Sequence, residues 1–259
     1  MKIPMYQIDA FSTRVFGGNP AAVCLLDGWP SDRLLQLIAA ENNLSETAFV
    51  GRDENGYQIR WFTPQSEVDL CGHATLAAGF VMMNEMFPDM DTINFSSKSG
   101  PLAVAKDGDY YVLNFPNWMP ERQSIDLSHT SRNRSYIIET WKYRDYIIVL
   151  DSEDAVRGFE PHFEHIAKLD ALGLIVTAPG NDADFVSRFF APAVGVPEDP
   201  VTGSAHSELA PLWQSKLQKD HFFARQLSQR GGELSCRVAG DRVYIGGHAA
   251  VYFKGEIRV

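Results

Sequence analysis

Arg60-Trp61-Phe62-Thr63-Pro64 and, 128 positions later, Arg188-Phe189-Phe190-Ala191-Pro192 state one pattern twice in a chain of 259 residues. The match extends outward from that pair. EVDLCGHA, from Glu67 to Ala74, returns as EDPVTGSA, from Glu198 to Ala205, at an offset of 131. Ser99-Gly100-Pro101-Leu102 meets Gly231-Gly232-Glu233-Leu234 at 132, and Gly108-Asp109 meets Gly240-Asp241 at the same offset. Upstream, Thr47-Ala48-Phe49-Val50 meets Leu174-Ile175-Val176-Thr177 at 127, and VCLLD from Val23 meets IIVLD from Ile147. An offset that drifts by so few residues is what small loop insertions do to a duplicated unit. The period is far too long for a solenoid and predicts two pseudo-symmetric lobes.

The two copies share one layout. In the first, strands are expected at 7–11 and 22–26, followed by a helix that Ser31 caps and that runs to residue 42, with Leu34, Leu35, Leu37 and Ile38 at helical spacing. Strands at 47–50 and 58–62 come next, then a helix over 74–83 that starts straight from a glycine turn, then strands at 93–95, 101–105 and 110–115. The second copy repeats the order, with helices near 161–168 and 205–214. This predicts an α+β protein whose lobes are each a curved, mostly antiparallel sheet around a central helix. The expected boundaries are 1–116 for the first lobe, 117–133 for a polar, aperiodic linker and 134–248 for the second lobe. The final strand, 249–259, has no counterpart in the first copy and is expected to cross back to the first lobe.

Composition narrows the partners. A net charge of −10 with no Lys/Arg run argues against nucleic acid, because phosphate neutralisation needs clustered positive charge. Hydrophobic residues make up 45% of the chain, enough for two separate cores. The longest apolar stretch, 74–83, falls short of the roughly 20 residues a helix needs to cross a bilayer. The opening MKIPMYQIDA has no apolar run of the signal-peptide kind, so a cytoplasmic protein without membrane partners is expected. Cys24, Cys71 and Cys236 are widely spaced and form no CxxC, which suggests neither a disulfide framework nor a zinc site. Among the histidines, His162 and His165 stand at i, i+3 without a third ligand nearby in sequence, so no metal is expected.

The chemistry is expected where the copies differ. Gly72 in Cys71-Gly72-His73-Ala74 and Gly203 in Thr202-Gly203-Ser204-Ala205 each start a helix, whose N-terminal N–H groups and positive end suit a small anion. Two such ends related by a pseudo-twofold would face one cleft; alternatively, both glycines merely permit tight strand-to-helix turns. Glu46 is matched in the second copy by Gly173, so one lobe supplies a carboxylate where its twin has nothing. Partly buried, that carboxylate would have its pKa raised toward neutrality, as a general acid or base requires; in the open it would be an ordinary turn residue. Asp199, stiffened by Pro200, could orient a substrate or cap a helix. His73 and Ser204 occupy equivalent places directly after the two glycines. Cys71 stands at a helix start, where a thiol pKa can fall, but its twin is Thr202, which excludes a two-thiol racemase.

Four ordered stretches, Phe16-Gly17-Gly18-Asn19-Pro20-Ala21-Ala22-Val23, Asn43-Leu44-Ser45-Glu46-Thr47-Ala48-Phe49, Cys71-Gly72-His73-Ala74-Thr75 and Glu198-Asp199-Pro200-Val201-Thr202-Gly203-Ser204-Ala205, resemble the PhzF-like isomerases of phenazine biosynthesis. The resemblance runs essentially end to end. It implies a diaminopimelate-epimerase-like fold of two barrel-like lobes, a homodimer, and a cofactor-free isomerase. It also implies that Glu46 moves a proton with help from His73, Asp199 and Ser204, while Ser45, Gly72 and Gly203 help to hold the substrate. Diaminopimelate epimerases and proline racemases share the fold but use two cysteines, and this chain keeps only Cys71. The expected partner is a small carboxylated, cyclic metabolite. A one-cysteine epimerase using Cys71, or a non-catalytic carrier with the same cleft, stand as alternatives.

Overall fold

The computed structural model describes residues 1–54, 56–133 and 137–259, which divide into two compact units: Met1–Asn114 with Gly246–Val259, and Phe115–Ile245. Unit 1 opens with β1 (Lys2–Ala10) and β2 (Asn19–Leu26), joined antiparallel with Met5 opposite Cys24. The connection between them is shaped by Gly18, whose φ is +62° and where a Cβ would fall 2.1 Å from the carbonyl oxygen of Ala10. Only glycine suits both conditions. Phe16 is tied back by its backbone N–H, which donates to Asp9 Oδ2 at 2.8 Å.

Helix α1 (Asp32–Asn42) follows, buries Leu35, Ile38 and Ala39, and leaves Leu37 exposed. Ser31 holds the N-cap position through its carbonyl, which accepts from Leu34 and Leu35, while its side chain makes no capping bond. The expected hydroxyl cap is therefore absent. Then come β3 (Glu46–Asp53), β4 (Gly56–Phe62), β5 (Glu67–Val68) and α2 (Gly72–Val81). Every residue of α2 except Gly72 and Phe80 is buried, as befits a central helix rather than an amphipathic surface one. Its Ala-rich sequence favours helix and lets the backbone approach the strands closely. A single π-helical turn, Met82–Met86, ends it, followed by β6 (Thr92–Ser96), β7 (Leu102–Asp107) and β8 (Tyr110–Pro116). Strand β2 is buried on both faces because α2 packs against it and the α1 side chains cluster with Cys24, Leu26 and Phe49.

Unit 2 contains β9 (Glu121–Gln123), β10 (Glu139–Lys142), β11 (Tyr146–Val149), the short helices α3 (Glu153–Arg157) and α4 (Phe163–Ile166), β12 (Leu174–Pro179), β13 (Phe185–Ala191) and β14 (Val196–Asp199). Then follow α5 (Gly203–Leu217), β15 (His221–Gln226), β16 (Gly232–Ala239) and β17 (Arg242–Gly247). Helix α5 is central in the same manner, and its Trp213 stacks on Phe185 of β13 at 5.6 Å. A second apolar cluster joins Ile148, Val156, Phe159, Val176 and Phe190.

The pairing repeats along with the order. Strands β2 and β3 are parallel, β3–β4 and β4–β5 antiparallel, β4–β6 parallel and β6–β7 antiparallel. In unit 2 the series β11–β12, β12–β13, β13–β14, β13–β15 and β15–β16 runs through the same five senses. Each unit thus mixes sheet with a central helix, an α+β construction. The last strand, β18 (Ala249–Arg258), belongs to unit 1 and pairs antiparallel with β1 from Lys2↔Arg258 to Ala10↔Ala249.

Three segments depart from expectation. The polar stretch 117–133 is not a bare connection: it lies within unit 2, carries β9 paired to β10, and buries Leu127 and Thr130. Backbone pairing needs no apolar periodicity, so a polar strand of three residues gives no signal. Helix α3, which Ser152 caps by accepting from Ala155, went unread beside the longer helix expected near 161–168, of which only the four residues of α4 form. Residues 134–136, where the second lobe was expected to begin, lie outside the described residues.

Candidate active site

Glu46 is the first residue of β3, and Ser45 immediately precedes it. Register fixes what stands at the same place in unit 2. Thr47 lies opposite Phe62, and Leu174 lies opposite Phe190, so the residues one step earlier, Glu46 and Gly173, are equivalents. At Gly173 no side chain fits: a Cβ would meet the Phe189 ring at 2.6 Å and the Phe190 carbonyl oxygen at 2.7 Å. The carboxylate is a one-unit feature by construction.

Helix α2 brings His73 to Glu46. Its Nε2 lies 3.3 Å from Glu46 Oε2, and its Nδ1 lies 3.5 Å from Cys71 Sγ. His73 is buried, and desolvation lowers its pKa to about 3, so the imidazole is neutral through the physiological range. A neutral imidazole carries one N–H. The Nε2–Oε2 approach is one of distance, without hydrogen-bond geometry, while Nδ1 pairs with the Cys71 thiol. Glu46 itself keeps partial access, its side chain 18% exposed. Glu46, Cys71 and His73 also offer three ligand-type atoms within 4.8 Å of one another, so the trio has the spacing to hold a metal ion as well as a proton relay. The histidines at 162 and 165 stack at 4.0 Å with His129 nearby at 5.5 Å from His165, but His165 Nδ1 is engaged with the His129 carbonyl at 2.7 Å.

In unit 2, Asp199 ends β14 and Thr202 occupies the N-cap of α5. Thr202 Oγ1 donates to Asp199 Oδ2 at 2.5 Å, and Gln226 ties both down. Gln226 Oε1 accepts from the Thr202 backbone N–H at 2.9 Å, while its Nε2 donates to the Asp199 carbonyl at 2.8 Å. Ser204 Oγ accepts from Arg144 Nη2 at 2.9 Å, and the guanidinium also binds Asp145. Sequence reading brought out Glu46, His73, Cys71, Asp199 and Ser204, but missed Arg144, Asp145, Glu208 and Gln226. One signal was present: Glu208 falls four residues after Ser204 on a buried helix, hence on the same face as the expected site residue.

The same arrangement of strands around central helices occurs in solved racemase structures. A probable proline racemase of Agrobacterium radiobacter superposes with a TM-score of 0.64 at 10% identity, covering 99% of this chain and 92% of that one, a likeness of fold alone. Residues 8–255 match the family model described as phenazine biosynthesis-like protein, and the chain belongs to that PhzC/PhzF family. A crystal structure of a PhzF family protein from Enterococcus faecalis superposes with a TM-score of 0.97 at 46% identity over 100% of both chains. An uncharacterized isomerase of Pseudomonas aeruginosa is 48% identical over 260 residues, with 100% of each covered. Among the described residues no helix is long and apolar enough to cross a membrane.

Proposed function

We propose that this chain is a cofactor-independent isomerase that moves a proton on a small carboxylated, cyclic metabolite by general acid–base chemistry. One observation carries the reading: a partly accessible Glu46 whose Oε2 lies 3.3 Å from Nε2 of a buried, neutral His73, at a position that Gly173 leaves closed in unit 2. In the reaction, the Glu46 carboxylate takes a proton from a substrate C–H bond. The resulting carbanion delocalises as an enolate-like anion, and the Glu46 carboxylic acid returns the proton to a different carbon, so no electron leaves or enters. His73, neutral beside the carboxylate, does not compete for the proton. In unit 1 the N-terminal turn at Gly72, with Ser45, is suited to an anionic substrate group, and in unit 2 the turn at Gly203, with Asp199 and Ser204, is suited to orienting one and to stabilising developing charge.

The name isomerase carried by the Pseudomonas relative supports the reaction class, and 2,3-dihydro-3-hydroxyanthranilate, the reference substrate of the family that the motifs resemble, is the first compound to try. The test is incubation of the purified protein with that compound in deuterated water. Isomerised product carrying solvent deuterium at the newly protonated carbon is expected, and Glu46→Gln should abolish it. Binding without exchange in the wild-type protein would leave a carrier, and would overturn the isomerase reading.

A further inference from the structure

A second set of buried charges lies wholly in unit 2 and is not used by the chemistry above. Arg144 and Asp145 form the turn between β10 and β11, and Glu208 stands on α5 one helical turn beyond Ser204. The Asp145 and Glu208 side chains are both fully buried. Their oxygens are nearly all accounted for. Asp145 Oδ2 accepts from Arg144 Nε at 3.2 Å and Nη2 at 2.9 Å, and Glu208 Oε2 accepts from the backbone N–H of Asp145 at 3.3 Å. What remains is Asp145 Oδ1 and Glu208 Oε1, neither of which has a hydrogen-bond donor.

The two carboxyl groups interact directly with each other. Two ionised carboxylates in contact and out of water repel strongly, so one of them keeps its proton. A single proton shared between the two carboxyls supplies the donor that the pair lacks. Burial first, then the charge on Asp145, pushes the Glu208 pKa up to about 9, opposed by Arg144. The pair then carries one negative charge against the one positive charge of Arg144, and the buried cluster is neutral.

Arg144 is held from its other side as well. Its guanidinium lies over the Trp118 ring at 5.0 Å, and Trp118 stacks on Tyr143 at 6.1 Å. A guanidinium can only donate, so at Ser204 the oxygen is the acceptor and the hydroxyl proton points elsewhere. No described protein group receives that proton. We infer that Asp145 and Glu208 share one proton and hold Arg144 as a positioning residue that fixes Ser204 Oγ as an acceptor, aiming the Ser204 hydroxyl proton at an anionic oxygen of the substrate. The inference rests on the proposed role of Ser204 as a substrate-facing group.

The shared proton is tested without substrate. Infrared spectra of the whole protein at pH 7 should contain a protonated-carboxyl C=O band that vanishes in Glu208→Gln and survives in Ser204→Ala. Should Glu208→Gln not fold, Asp145→Asn supplies the same comparison. A spectrum unchanged by removing either acid overturns the shared proton. The link through Ser204 is read by a double-mutant cycle on deuterium exchange into 2,3-dihydro-3-hydroxyanthranilate. Arg144→Met and Ser204→Ala should each lower kcat by about 10²-fold, with the double variant no slower than Ser204→Ala alone and partial recovery in Arg144→Lys. Losses that multiply overturn the positioning role. A wild-type protein that never exchanges sinks the isomerase reading and the Ser204 link with it, while the infrared result still decides the carboxyl pair.

Discussion

Arg60 grips Glu67 with two parallel hydrogen bonds, Nε to Oε1 at 2.7 Å and Nη2 to Oε2 at 2.9 Å. Unit 2 repeats the fork: Arg188 binds Glu198 through the same atoms at 2.7 and 3.0 Å. Each pair ties the strand before the glycine turn to its neighbour, β5 to β4 and β14 to β13, so each fixes where a central helix starts. Arg188 adds a second task, donating Nη1 to the Phe159 carbonyl at 2.7 Å beyond the end of α3.

Arg188→Met should therefore destabilise the protein by about 3–5 kcal/mol, because it leaves a partly buried Glu198 uncompensated. Urea unfolding measures this. Removing both partners in Arg188→Met/Glu198→Leu should recover part of the loss. A change below about 1 kcal/mol would class the fork with exposed ion pairs instead.

Glu46→Gln should fold normally and still bind ligand while losing turnover by about 10²- to 10⁴-fold. Near-wild-type rates in that variant would remove Glu46 from the mechanism.

Cys71→Ser should keep most activity, since a serine hydroxyl can also donate to His73 Nδ1 in place of the thiol. The twin at this position, Thr202, already shows that a hydroxyl fits a helix start of this kind. Abolished activity, or inactivation by a thiol reagent against which substrate protects, would favour an epimerase built on Cys71.

Acid should unfold the protein earlier than its carboxylates alone require. Burial lowers His73 to about 3 and His206 to about 4, so between those values and the usual 6.5 the unfolded chain binds protons that the folded one refuses. Stability is then complete above pH 6.5 and falls as pH drops, by about 1.4 kcal/mol per pH unit for each histidine. Glu208 acts in the opposite sense: its raised pKa makes the folded state hold a proton the unfolded state releases, so stability declines as pH climbs from 4.5 to about 9. Denaturant midpoints against pH should thus show Glu208→Gln gaining on wild type toward alkaline pH; parallel curves would show that Glu208 carries no proton there.

Much of this was legible from residues alone because duplication leaves local marks. The RWFTP and RFFAP runs, the glycine turns and the Glu46–Gly173 mismatch are short-range patterns, and the paired registers follow them. The contact of Glu46 with His73 could be anticipated, since both lie beside motifs that the repeat singles out. The cluster of Arg144, Asp145 and Glu208 could not. Asp145 and Glu208 are 63 residues apart, and no periodicity reports which turn a buried acid will meet. Strand β9 and helix α3 were hidden for the opposite reason: they are so short that backbone partners, not sequence, decide them.

The return of β18 to β1 has a consequence for how the chain is made. Unit 2 is one continuous run, Phe115–Ile245, and is complete once that run has left the ribosome. Unit 1 emerges before unit 2 yet stays unfinished, its β1 edge unpaired along Lys2–Ala10 until β18 is translated. The order of completion is thus the reverse of the order of synthesis. For the whole of that interval an apolar edge bearing Ile3, Tyr6 and Ile8 is available to other nascent chains, which makes the first-made half the one in need of chaperoning.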